Sequence, residues 1–299
     1  MVFLKALTLR DVPRVLSIAG TDPTGGAGIQ ADLKSIAALG GYGMAVVTSL
    51  VAQNTRGVRS IHTPPAQFLA EQLEAVSDDV TIDAVKIGML GDTATIAVVR
   101  EWLHRIQPPL VVLDPVMVAT SGDRLLAAAA ETALRELVGE VDLVTPNLPE
   151  LAVLVGEPVA ADWPAALNQA RKLSAASGTV VLVKGGHLSA ESSPDALVDA
   201  TGQLGSASGV GGVVEFVSPR VATRNTHGTG CSLSSAVATV MARTGDWVGA
   251  VRQAKGWLQD ALIHADELQV GQGNGPINHF HHLWARAQTL QSGQDGNTS

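Results

Sequence analysis

Cysteine is nearly absent: the 299 residues contain one, Cys231. A single thiol excludes an intrachain disulfide and any structural zinc site built on paired cysteines, and it suits a reducing cytoplasm. Aromatic residues make up 3% of the chain and charged residues 16%, with a formal net charge of −8 and a pI near 5.4. Few rings and an acidic balance argue against stacking platforms for single strands and against a duplex-binding face. Small anionic ligands are not excluded, because they need only local donors. No apolar run approaches the roughly 18 residues of a membrane span. The first residues, MVFLKALTLRDVPR, are interrupted by Lys5, Arg10 and Asp11 and do not read as a secretory leader. The expectation is a cytoplasmic protein with no membrane or nucleic-acid partner.

What is abundant is Val, Ala, Leu and Gly, with 46% hydrophobic residues and a mean hydropathy of +0.22. Strand-like runs alternate with helix-like ones. The strand-like runs are 14–20, 44–53, 84–90, 110–117, 142–147 and 179–186; the helix-like ones are 29–40, 66–79, 95–106, 125–138 and the stretch after Asp162. This predicts an α/β fold in three αβα layers around a mostly parallel sheet. No Pro-rich linker divides the chain, so residues 14–285 are read as one domain. The Gly/Ser-rich stretch 202–212 reads as a hairpin tip or loop, and 286–299 as a polar, disordered tail.

Ligands of open α/β sheets gather at the carboxyl ends of the strands. Five polar residues are expected there: Asp22, Gln53, Asp114, Asn147 and Lys184. NTHGTGCSLSSA (225–236) opens a helix whose apolar face is marked by Leu233, Val237, Val240 and Met241. Its first turn, Gly228 to Cys231, would offer unpaired N–H groups and the positive end of a helix dipole to an anion such as a phosphoryl group. That position is expected to lower the thiol pKa of Cys231. The bland alternative is a small buried side chain beside an ordinary turn.

GTDPTGGAGIQAD (20–32) is a second glycine-rich junction, and Gly26, Gly28 and Ala31 satisfy G-x-G-x-x-A. The acidic ribose ligand of a dinucleotide fold is missing, since the next strand ends in Gln53 and Asn54; no G-x-x-x-x-G-K-[ST] phosphate loop occurs either. Gln53 could pair with a ring nitrogen and an exocyclic amine, and Met89 could lie against a flat ring or simply fill core. Asp114, Asn147 and Glu150 suit Mg²⁺, although Asn147 and Glu150 equally suit a turn and a helix start. Lys184 can neutralise a phosphate. NHFHHLW (278–284) suggests a metal site, but with no acidic residue nearby in sequence it reads as a helix start or tail contact.

The motifs AGTDPTGGAGIQADLK, YGMAVVTSLVAQNT, DAVKIGMLGD, VVLDPVM, TPNLPE, VKGGH, NTHGTGC and GNGPINHFHHLW, in that order, resemble those of the ribokinase-like superfamily. More narrowly, they are similar to the bacterial hydroxymethylpyrimidine/phosphomethylpyrimidine kinases of thiamine biosynthesis. The resemblance covers roughly residues 14–285. It implies transfer of the ATP γ-phosphoryl group, with Mg²⁺, to 4-amino-5-hydroxymethyl-2-methylpyrimidine and then to its monophosphate, by a homodimer. It further implies that Gln53, Met89, Gly20, Asp32 and Val51 bind the pyrimidine. Gly228, Thr229, Gly230 and Cys231 would form the anion hole, with Cys231 as base. Lys184 would contact nucleotide phosphate, Asn147 and Glu150 would organise Mg²⁺ and its waters, and Asp114 would support the phosphate side. The closest rival is a pyridoxal or pyridoxine kinase; a non-catalytic pyrimidine sensor should have lost Cys231, Lys184 or the Asn147/Glu150 pair. The longer 202–212 segment and the extension 286–299 depart from the pattern without touching these residues.

Overall fold

The computed structural model describes residues 7–119, 122–186, 188, 192–205 and 212–284. The strands are β1 (Arg14–Ala19), β2 (Tyr42–Val47), β3 (Leu50–Asn54), β4 (Gly57–His62), β5 (Ala84–Ile87), β6 (Val111–Leu113), β7 (Leu143–Val144), β8 (Val180–Lys184), β9 (Ser192–Val198) and β10 (Val213–Pro219). The helices are α1 (Gly28–Ala38), α2 (Ala66–Ser77), α3 (Thr93–Ile106), α4 (Glu131–Val138), α5 (Leu148–Val155), α6 (Trp163–Ser177), α7 (Thr229–Thr244) and α8 (Trp247–Ile263).

Eight strands form one sheet in the order β10-β9-β8-β7-β6-β5-β1-β2. From β8 to β2 all neighbours are parallel, and β9 and β10 add an antiparallel edge. Because side chains alternate along a strand, each parallel strand feeds two cores. Leu16, Ile18, Val111, Leu113, Val181 and Val183 pack under α2–α6. Val15, Val112, Val180 and Leu182 pack under α1, α7 and α8. The result is the expected three-layer αβα architecture.

Two features differ from the sequence reading. The run 44–53 is not one strand. Thr48 makes the last rung on β1, its N–H donating to Ala19 O; the chain bends there, with the Thr48 hydroxyl donating to Met89 O, and β3 leaves to pair with β4 in a separate antiparallel hairpin. α7 is not a helix with one buried face either: every residue from Ser232 to Ala242 is buried. Its small residues, four of them Ser or Thr, let it lie between α1, α8 and the sheet. The segment 202–212 does join the antiparallel strands β9 and β10; residues 206–211 and the tail 286–299 lie outside the described residues.

A buried charge pair locks this core. Lys86 on β5 and Asp32 on α1 are wholly buried, with Nζ 2.8 and 2.9 Å from the two carboxylate oxygens. Ser17 on β1, the register partner of Lys86, donates to the same carboxylate at 2.6 Å, and Ser235 on α7 donates at 2.8 Å. Burial works against the Lys86 charge, but attraction to Asp32, with smaller help from Cys231 and Asp114, holds its pKa above the usual lysine value. One ion pair therefore ties β1, α1, β5 and α7 together. Removing one partner of such a pair leaves a buried charge unpaired, at a cost of ~3–5 kcal/mol. Lys86→Met should lower the stability from urea unfolding by about that amount, and adding Asp32→Asn should restore most of it. A loss below ~1 kcal/mol for Lys86→Met would contradict this account of the core.

Candidate active site

In the sheet order, the chain runs from β1 out to β2 and returns on the other side of β1 as β5. That reversal opens a crevice at the carboxyl ends of the strands, where open α/β sheets bind ligands. A cavity of about 700 Å³ lies there. It is lined by Gly20, Val51, Gln53 and Met89 in one part, and by Asp114, Asn147, Glu150 and Lys184 in another; the first turn of α7, Gly228 to Cys231, also faces it. Twelve of the thirteen site residues read from the sequence therefore share one cavity.

Asp32 is the exception. It lies buried beneath this floor, saturated by Lys86, Ser17 and Ser235, and so cannot also bind substrate. Asp22, also expected among the strand-end groups, is fully buried as well. Its carboxylate accepts from the main chains of Thr24, Gly26 and Ala27, from the Thr24 hydroxyl at 2.7 Å and from His227 Nε2 at 2.8 Å. Burial opposes its ionisation, yet His227 and the Thr24 groups hold its pKa well below the usual carboxylate range. Asp22 shapes the loop and fixes the His227 ring, which does line the cavity.

The start of α7 is placed by main-chain contact. Gly228 caps the helix at φ +78°, and a Cβ there would lie 1.8 Å from Gly26 O. Only glycine lets the two glycine-rich junctions touch. Gly228 of α7 thus abuts the backbone of the Gly26-x-Gly28-x-x-Ala31 motif. A Cβ on Gly230 would come within 3.2 Å of Lys184 Nζ and 3.5 Å of Asp114 Oδ2, so its absence keeps open the space between the helix start and these charges.

Cys231 is half-buried in the third position of α7. The sequence predicted a lowered thiol pKa; the structure gives the opposite. Burial pushes the thiol up to about 11, the Lys86 ammonium pulls it down, and the Asp32 and Asp114 carboxylates push it up again. The Gly28 main-chain N–H also pulls it down. The helix dipole was legible in sequence, whereas two carboxylates arriving from α1 and the end of β6 were not.

Opposite α7, Lys184 Nζ lies 2.9 Å from Asp114 Oδ1, which also accepts from the Thr145 hydroxyl at 3.0 Å. Burial opposes the Asp114 charge, but Lys184 and Lys86 keep its pKa low. Asn147 and Glu150 form a capping box on α5: Asn147 Oδ1 accepts from Glu150 N at 2.9 Å, and Glu150 Oε2 accepts from Asn147 N at 2.8 Å. The helix-start alternative is thus correct as structure, and both side chains still line the cavity. Burial raises the Glu150 carboxyl to about 7; Lys184 lowers it, and Asp114 raises it further.

Sequence reasoning missed the cavity wall formed by Val221, Leu258 and Leu262, and the buried pair Lys255–Asp195 beside it. The i, i+4 spacing of Leu258 and Leu262 on α8 is the one signal that pointed to them. Among the described residues no helix is long and apolar enough to cross a membrane.

Residues 22–278 match the phosphomethylpyrimidine kinase family model. A hydroxymethylpyrimidine/phosphomethylpyrimidine kinase of Escherichia coli is 50% identical over 270 residues, covering 90% of this chain and 98% of that one. A thiamine biosynthesis multifunctional protein of Corynebacterium glutamicum is 56% identical over 269 residues, 90% of this chain; the chain spans about a third (34%) of that longer protein. Among solved structures, the ADP complex of Bacillus subtilis pyridoxal kinase superposes with a TM-score of 0.80 at 31% identity, covering 90% of this chain and 98% of that one. A phosphomethylpyrimidine kinase from Clostridium difficile gives 0.70 at 34% identity, covering 84% and 99%. The chain therefore belongs to the phosphomethylpyrimidine kinase family.

Proposed function

We propose that the protein transfers the γ-phosphoryl group of ATP to the hydroxymethyl group of 4-amino-5-hydroxymethyl-2-methylpyrimidine, and then a second one to the resulting monophosphate. The observation that carries this reading is a single cavity holding an amide and a thioether suited to a flat aminopyrimidine together with a thiol, helix-start amides and a lysine suited to phosphoryl transfer. Gln53 pairs with a ring nitrogen and the exocyclic amine, while Met89, Val51 and Gly20 pack on the ring. Val221, Leu258 and Leu262 offer an apolar wall for the nucleotide base. Lys184 and the amides of Gly228 to Cys231 meet phosphoryl charge. A homodimer belongs to the same reading; Tyr42, Leu50 and Ile61 on β2, β3 and β4 are exposed apolar surface that a second copy could cover.

Magnesium fits the acidic corner. Asp114, Glu150 and Asn147 offer only oxygen among their acceptor groups, and the raised pKa of Glu150 beside Asp114 marks a carboxylate pair that a cation relieves. Bound there, the ion would neutralise charge developing between the phosphoryl groups. Glu150 binds its proton more tightly folded (about 7) than its ordinary 4.5, so its contribution to stability is full below 4.5 and is lost as pH rises through 7. Glu150→Gln keeps the capping box and removes that loss. Without nucleotide or magnesium, the variant should gain on the wild type by up to ~3 kcal/mol between pH 5 and pH 8 in urea unfolding; a constant difference would contradict the raised carboxyl.

Cys231 takes the proton of the hydroxymethyl group. With its thiol near 11, holding the thiolate at pH 7 costs about 5 kcal/mol. The thiolate is in return a strong base, and proton loss comes late in a loose phosphoryl-transfer transition state. The monophosphate is already ionised near neutral pH and needs no such help. ADP release with Mg·ATP should therefore be seen with both pyrimidines and be small with pyridoxal, and Cys231→Ala should cut the first step by 10²-fold or more while sparing the second by at least tenfold. Dominant turnover of pyridoxal, the substrate that the Bacillus subtilis neighbour's likeness brings into question, would overturn the substrate; equal losses in Cys231→Ala would overturn the role of the thiol.

A further inference from the structure

The histidines of 278–284 do meet an acidic partner, one that sequence distance conceals. α8 brings Asp260 to His281 and His282, and one ligand atom from each of the three lies within 4.8 Å of the others. The His281 and His282 ring centroids are 3.8 Å apart. His281 is 7% exposed, and its Nε2 is buried with no hydrogen-bond partner among the described residues. An orphaned polar atom at that depth is costly and demands a reason.

The other ring nitrogen supplies the reason. His281 Nδ1 lies 3.1 Å from the Asn278 carbonyl oxygen, which can only accept, so Nδ1 carries the proton and Nε2 presents its lone pair. A main-chain carbonyl holding one imidazole nitrogen while the other is left without a partner beside further ligand groups is the usual outer support of a metal-bound histidine.

We propose that Asp260, His281 and His282 form a second metal site, separate from the magnesium corner, that takes a borderline divalent ion of the zinc class. Two imidazoles and one carboxylate suit zinc better than magnesium, which prefers oxygen. Tetrahedral ligands at zinc sit roughly 3.4 Å apart given bond lengths near 2.1 Å, so the three groups need to draw together by an ångström or so. His282 is exposed, which provides an entry path. Bound there, the ion would clip the 276–284 segment to α8. That same segment sends His279 to the Ser232 hydroxyl at 2.9 Å, one residue beyond Cys231.

The test uses the full chain without a histidine tag, stripped with chelator, and Zn²⁺ alone as the probe against a chromophoric competitor. The wild type should bind one equivalent per chain and unfold at a higher temperature with zinc present. His282→Gln and Asp260→Asn should each weaken binding at least tenfold, with zinc-free thermal midpoints near the wild type's, and the zinc-induced rise should vanish. Substituted Co²⁺ should show ligand-field bands without the charge-transfer band of a thiolate. No stoichiometric binding, binding unchanged in both variants, or a thiolate band pointing to Cys231 would each overturn the site.

Discussion

The buried pair between Lys86 and Asp32 is the interaction on which the rest of the structure depends. It pulls together a sheet strand, two helices and, through Ser17, the first strand, at the level just below the strand ends. Above it lies the switch point of the sheet, and over that switch point sits the first turn of α7. The pair has no apolar substitute that would also leave a positive charge beneath Cys231. The Lys86 ammonium is the largest influence lowering the thiol's pKa, set against burial and two carboxylates. Fold and chemistry are thus coupled through one side chain.

Phosphoryl transfer asks little covalent work of a protein and much positioning. In the proposed reaction that positioning comes from elements far apart in the chain. Gln53 comes from a hairpin that has left the main sheet, Met89 from the end of β5, Lys184 from the end of β8, and the amides from α7. Main-chain contact between Gly228 and Gly26 sets how far α7 advances into the crevice. The capping box of Asn147 and Glu150 fixes both side chains while leaving them at the cavity wall, so a local folding device holds the residues to which the proposal assigns magnesium.

Much of this was legible in the sequence. Alternating apolar runs announced the layered fold, and polar residues at their ends announced the crevice. What failed did so for physical reasons. Asp32 carried a charge within a motif, but no periodicity reveals that Lys86 lies across the sheet register from Ser17 and consumes it. The run 44–53 has strand propensity throughout, and a bend at Thr48, whose hydroxyl donates to Met89 O, divides it. A helix N-terminus suggested an acidic thiol, and burial with two carboxylates reversed the sign. The histidines of 278–284 do open a helical turn at 281–284, as expected, and the acidic neighbour that the sequence did not reveal, Asp260, comes through space from α8.

The central claim is that Cys231 acts as a high-pKa base in the first transfer and is not needed in the second. The pH dependence of kcat/KM for the two acceptors tests it most directly, since this parameter reports ionisations of the free enzyme. The account predicts that, above pH 7.5 where Glu150 is ionised, the hydroxymethyl acceptor gains about tenfold per pH unit toward a thiol near 11. The monophosphate acceptor should be nearly level over the same range. Parallel profiles for the two acceptors would contradict it.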